Sequence, residues 1–124
     1  MVLLRPLALA VFLVACNAST DASGPAATLS GNWTDLGNAP SGRIVFTLTQ
    51  TDTVVSGTGQ YGGPSTNGSL VVSGSYHRPN AVLRMTYDVG PIAVYTAQAT
   101  DANTLVGTYV FTSGPSYPLA FGRQ

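Results

Sequence analysis

The 124-residue chain contains no lysine and no glutamate, and only one cysteine, one histidine and one tryptophan. Each shortage excludes something. Without lysine there is no amine for Schiff-base chemistry. Five scattered arginines make no basic patch to neutralise phosphates, so nucleic acid is not an expected partner. A single cysteine cannot form an internal disulfide, which leaves packing and backbone hydrogen bonds to hold the fold. The sole histidine, His77, stands beside Arg78 at a turn, and Asp21, Asp35, Asp52, Asp88 and Asp101 lie far apart. No His/Cys/Asp cluster has metal-ligand spacing, and no Gly-x-Ser-x-Gly elbow occurs. No catalytic residue, metal or cofactor is therefore expected, and the chain does not read as an enzyme. No apolar run reaches the roughly 20 residues of a membrane-spanning helix.

What is present begins with an address. Arg5 precedes a short apolar run over residues 7–15, which ends in Leu13-Val14-Ala15-Cys16. A positive start, an apolar core and a small residue before a cut form a secretory leader. The tetrapeptide resembles the lipobox of bacterial lipoproteins, where a diacylglycerol is attached to the cysteine and the leader is removed before it. That resemblance implies a signal peptide over residues 1–15, lipid attachment at Cys16, and the membrane as a partner through this anchor. Acylation also accounts for a lone thiol in an oxidising compartment. One chain of the myristoyl type holds a protein with K on the order of 10⁴ M⁻¹, whereas two or more anchor it stably. In such lipoproteins an aspartate after the cysteine often means inner-membrane retention. Asn17 occupies that position here, which implies the outer membrane of the cell envelope where the cell has one. Past the cut, Arg43, Arg78, Arg84 and Arg123 face five aspartates, a formal balance of −1.

Residues 17–28 are Ala, Ser, Thr, Gly, Pro and Asn with one Asp, and residues 16–28 read as a lipidated flexible tether. From residue 29 to 124 the pattern is β throughout. Runs rich in Val, Thr, Tyr and Phe alternate with Gly, Pro, Asn and Asp punctuation. Eight strands are predicted, over residues 31–36, 43–50, 53–61, 68–77, 81–89, 92–100, 104–112 and 117–123. Alternation assigns the faces. Ile44, Phe46 and Leu48 share one side; so do Leu70, Val72 and Tyr76, then Leu83, Met85 and Tyr87, then Leu105, Tyr109 and Phe111, then Leu119, Phe121 and Arg123. Each buried Leu, Ile or Phe contributes roughly 1.5–3 kcal/mol, so a dozen make an adequate core. Gly57, Gly74 and Gly107 fall within these apolar stripes. Glycine in a strand marks a sharp bend or a close neighbour, and such bends let a sheet coil closed. The expected fold is an all-β, eight-stranded antiparallel up-and-down β-barrel, with a β-sandwich as the alternative.

Gly31-Asn32-Trp33 resembles the Gly-x-Trp that opens the first strand of calycins, the group of lipocalins, fatty-acid-binding proteins and avidins. Ser73-Gly74-Ser75-Tyr76 and Val106-Gly107-Thr108-Tyr109 resemble the Gly-x-Tyr strand pattern of the avidins. The resemblance covers roughly residues 30–124, on short motifs. It implies a structural lock in which Arg123, near the end of the last strand, packs across Trp33; parity also turns Arg123 inward. Such a cation over an indole contributes about 0.5–2 kcal/mol. The pattern departs from avidin in having one tryptophan, and Asp35 where avidins carry the asparagine that meets biotin. The architecture carries over and the biotin does not. Asp35 shares the inward parity of Trp33 and has two readings: pairing with Arg123, or accepting a hydrogen bond from a ligand.

Turns after the second, fourth and sixth strands are tight, whereas those after the first, third, fifth and seventh carry glycine and proline. The longer loops share one end of an up-and-down barrel, which is the expected mouth. Tyr61, Tyr87, Tyr109 and Tyr117 fall on inward faces toward it. Either they form an amphipathic collar for one small apolar or amphipathic ligand, or they simply fill the barrel. Two functions follow: a membrane-anchored lipoprotein whose barrel binds such a ligand, or a protein-interaction, inhibitor or envelope-scaffold module with none. A continuous cavity would favour the first and a filled core the second.

Overall fold

The computed structural model describes residues 24–37, 39, 42–63 and 67–124. The leader, Cys16 and the first part of the tether lie outside these residues. Eight antiparallel strands follow in chain order: β1 (Gly31–Asp35), β2 (Arg43–Thr51), β3 (Val54–Gly62), β4 (Asn67–His77), β5 (Asn80–Tyr87), β6 (Ile92–Asp101), β7 (Thr104–Phe111) and β8 (Ser116–Arg123). Each pairs with the next, and β8 pairs with β1, closing an up-and-down barrel. The described residues contain no helix. The period-2 alternation explains this outcome: each strand offers one apolar row, and only closure buries all eight rows while leaving no edge unpaired.

The inward rows are those that alternation selects. Ile44, Phe46, Leu48, Leu70, Val72, Leu83, Met85, Leu105, Leu119 and Phe121 are all buried, and Val45, Val71 and Val82 between them are half-buried or exposed. The glycines in the stripes mark the coiling. A Cβ on Gly57, Gly74 or Gly107 would overlap the backbone oxygen of Thr47, Val82 or Thr96 on the neighbouring strand. Gly74→Ala should therefore lower stability by about 1–3 kcal/mol, the usual cost of overpacking. A urea melt checks this, and an unchanged midpoint would mean that β4 and β5 can separate without loss.

The closing seam is the shortest. β1 and β8 share three residue pairs, Trp33 with Arg123, Thr34 with Gly122 and Asp35 with Phe121. Bonds from Leu36 N to Ala120 O (2.9 Å) and from Gln124 N to Asn32 O (2.8 Å) extend it at either end.

The tether assignment needs correction over residues 24–28. This stretch crosses the base of the barrel, the end that holds the tight turns, and Ala26 and Leu29 are buried there. The Tyr76 hydroxyl donates to Ala26 O, Arg78 Nε to Pro25 O (3.0 Å), and Leu29 N to Gln50 Oε1 (2.8 Å). The segment lacks any periodic signal because it packs as an irregular lid whose backbone carbonyls find side-chain donors.

Candidate functional site

At the base, Trp33 and Arg123 meet, as the resemblance to calycins implies. The Arg123 Cζ lies 4.7 Å from the centre of the Trp33 ring. The Trp33 Nε1–H donates to Leu29 O at 2.9 Å, and the ring is buried. The guanidinium donates to three carbonyls, of Thr28 (3.0 Å), Ser30 (2.8 Å) and Ala102. Gly31 has φ +134°, a conformation that L side chains rarely adopt, and the Arg123 Cδ sits 3.1 Å from where its Cβ would be. The Gly-x-Trp spacing thus has a local cause: glycine lets the arginine stem lie flat across the start of β1. Arg123 ties together β1, β8, the β6–β7 turn and the N-terminal segment.

Asp35 joins neither Arg123 nor the tyrosines. Its Oδ1 accepts from Ile44 N (2.7 Å) and its Oδ2 from Gly37 N (3.1 Å). The carboxylate clasps the β1–β2 connection, so neither expected role, ion pair or ligand acceptor, is where its oxygens point.

At the opposite end Tyr61, Tyr87 and Tyr109 are brought together, but as a stopper. The Tyr61 and Tyr87 rings are 4.6 Å apart, Tyr87 lies 6.0 Å from Phe111, and Phe111 lies 5.5 Å from Tyr109. All three tyrosines are buried. Tyr117 is half-buried, pairs with Tyr109 across β7 and β8, and has its ring 6.0 Å from that of Phe111. The hydroxyls are occupied: Tyr87 and Tyr109 share a hydrogen bond of 2.6 Å, and Tyr61 donates to Asp88 Oδ1 at 2.9 Å. The latter bond raises the Tyr61 pKa above the ordinary phenol value and holds the Asp88 carboxyl below the ordinary carboxylate range.

Sequence reading missed Tyr95. It is fully buried, donates to Leu119 O at 2.7 Å, and lies 5.1 Å from Phe121 and 6.1 Å from Tyr109. The available signal was its parity with Ala93 and Ala97, all three of which face inward; alanines on either side make the stripe weak in hydropathy. With Phe46 tilted against Phe121 at 4.8 Å, ring contacts run from Phe46 through Phe121, Tyr95, Tyr109, Phe111 and Tyr87 to Tyr61. These rings belong to one buried apolar core with the aliphatic inward rows.

Concave surface is found on the outside. One hollow of ≈ 410 Å³ lies across β1, β2 and β3, and a smaller one of ≈ 200 Å³ continues from it over β2–β4, sharing Arg43, Val45 and Gln60. Another, of ≈ 350 Å³, lies across β5–β7 between Val82 and Val106. Among the described residues no group of three or more His, Cys, Asp or Glu could hold a metal ion. Comparison with protein-family models, curated proteins and solved structures finds no match to this chain. Geometry alone therefore carries the functional argument: an eight-stranded antiparallel barrel with an aromatic-rich buried core and hollows on its outer wall.

Proposed function

We propose that this protein is a lipid-anchored module of the cell envelope, with a calycin-like barrel that acts through its outer surface and holds no ligand in its lumen. The observation that carries the reading is the aromatic-rich core, with Tyr61, Tyr87 and Tyr109 hydrogen-bonded where a collar would have to stay open. An amphipathic guest would need at least the Tyr87–Tyr109 bond broken and a ring displaced from close packing. The strand faces turned outward carry Thr, Ser, Asn and Gln with Arg43 and Arg84, interspersed with Val54, Val71, Val82, Val106 and Val110 rather than banded. A membrane-spanning barrel has the reverse arrangement, an apolar outer band. That contrast supports attachment by the lipid on Cys16 rather than by the strands. Val82, Val106 and Val110 stand exposed on the β5–β7 wall, which supports contact with another macromolecule.

Two measurements test the proposal. Membrane fractionation of Cys16→Ser should find the protein released or its leader uncut; unchanged processing and membrane association would refute lipidation. Titration of the full chain with an apolar fluorescent probe should show no saturable one-to-one binding. Micromolar binding, about −8 kcal/mol, that Tyr109→Ala weakens tenfold would instead return the lumenal ligand and its tyrosine site.

A further inference from the structure

Chain order puts the start of β1 at the base of the barrel, and the residues before it are fastened there. Ala26 and Leu29 are buried. Gln50 on β2 accepts from Leu29 N at 2.8 Å, the Tyr76 hydroxyl on β4 donates to Ala26 O, and Arg123 on β8 donates to Thr28 O at 3.0 Å. The outermost fastener is Arg78 in the β4–β5 turn. Its Nε donates to Pro25 O at 3.0 Å, and its Nη2 lies 3.1 Å from where a Cβ on Gly24 would be. Residues 24–29 are thus held from three strands and one turn, with Gly24 at the edge of the base.

Gly24 is also close to Cys16 along the chain. Eight peptide steps separate them, and at no more than about 3.6 Å each these reach at most roughly 29 Å. The barrel is tall on that scale. β5 runs from Asn80 at the base to Tyr87 at the opposite end. At about 3.3 Å per residue and a tilt near 40°, this makes roughly 18 Å of height, and the loops after it project further. To set the loop end against a membrane, the residues after Cys16 would have to descend the whole wall and use up most of their reach. A chain drawn out in this way loses conformational entropy. With the base against the membrane, no such cost arises.

We infer that the base of the barrel, crossed by residues 24–29, faces the lipid bilayer, and that the end bearing the glycine and proline loops is displayed away from it. This orientation rests on the lipid at Cys16 proposed above and adds which end of the barrel that lipid leaves exposed.

The test uses the full-length lipidated protein in phosphatidylcholine vesicles whose headgroups carry a short-range energy-transfer acceptor. Cys16 is the only thiol of the chain and its lipid blocks it, so a donor fluorophore can be placed on one introduced cysteine at a time. Thr53→Cys and Asn103→Cys put the donor in two turns of the base, and Val89→Cys and Ser113→Cys in two connections at the opposite end, all at exposed positions. Transfer should be at least about twofold stronger from each base position than from either opposite position. Equal transfer from both ends would mean that the barrel lies on its side or tumbles. Stronger transfer from Val89→Cys and Ser113→Cys would mean that the loop end, where Leu36 and Val89 stand exposed, meets the lipid. Either result overturns the inference while leaving the anchor in place. Failure of the unlabelled protein to float with the vesicles would instead refute the anchor, and the orientation with it.

Discussion

Raised to alkaline pH, the barrel should unfold in one steep step, with Tyr95 and Tyr109 ionising only as it opens. Both rings are fully buried. Loss of solvent is the main cause that drives each pKa far above the ordinary phenol value of 10.0, and the bond to Tyr87 adds to the effect at Tyr109. A phenol whose folded pKa is raised contributes its full share of stability below the unfolded value. Above it the unfolded chain ionises and the folded chain does not, so stability falls as pH rises toward the folded pKa. Each such group removes about 1.4 kcal/mol per pH unit, and the two together remove about 2.7. Against a total of roughly 5–15 kcal/mol for a domain of ordinary stability, two units above pH 10 become decisive. Phenolate absorbance and far-ultraviolet circular dichroism should change together. The double substitution Tyr95→Phe, Tyr109→Phe should reverse the balance, losing about 0.5–1.5 kcal/mol per deleted hydrogen bond at neutral pH and resisting alkali better. Smooth ionisation of all tyrosines near pH 10 with the barrel intact would show that these rings are open to water.

Trp33→Ala should cost about 3–5 kcal/mol, the range for removing a large buried ring. The reason is its place in the seam. β1 and β8 share only three residue pairs, so closure there rests on side chains more than on the ladder. Trp33 supplies the packing, the bond to Leu29 O and the surface on which Arg123 lies. Arg123→Ala should cost about 1–3 kcal/mol, through lost stacking and lost stem packing, together with three carbonyls left without their donor. The two losses should not add, because each residue's contribution passes through the other. Urea melts of the single and double variants measure this. Trp33→Phe, which keeps a ring but cannot donate to Leu29, should fall between the native protein and Trp33→Ala. A loss below about 1 kcal/mol for Trp33→Ala, or strict additivity, would mean that the barrel closes without the lock.

The strands were legible because their signals are local. Alternation at Ile44-Val45-Phe46-Thr47-Leu48 names the inward face without knowledge of any other strand, and Gly-Pro or Asn-Asp punctuation ends each run. The lock was legible through the resemblance to calycins, and counting eight antiparallel strands agrees with it by placing the end of β8 beside the start of β1. Tyr95 was harder to see, since its neighbours Ala93 and Ala97 leave room for its ring while contributing little hydrophobic signal. Asp35 misled, because a carboxylate of inward parity can turn to backbone N–H groups of a loop, and parity does not record that.

The sequence by itself determined an all-β chain of eight strands and which residues face inward. Only the tertiary structure decided that the inward rings join into one buried core, that residues 24–28 pack across the base, and that Thr34 is buried on an outward face. The division has a physical cause. Facing is a property of one strand and its period, whereas filling depends on which side chains from different strands arrive at the same height, and registers across eight strands are not written in any one of them. The Tyr87 and Tyr109 hydroxyls meet across two strands, and Thr34 is buried by its neighbours rather than by its own character.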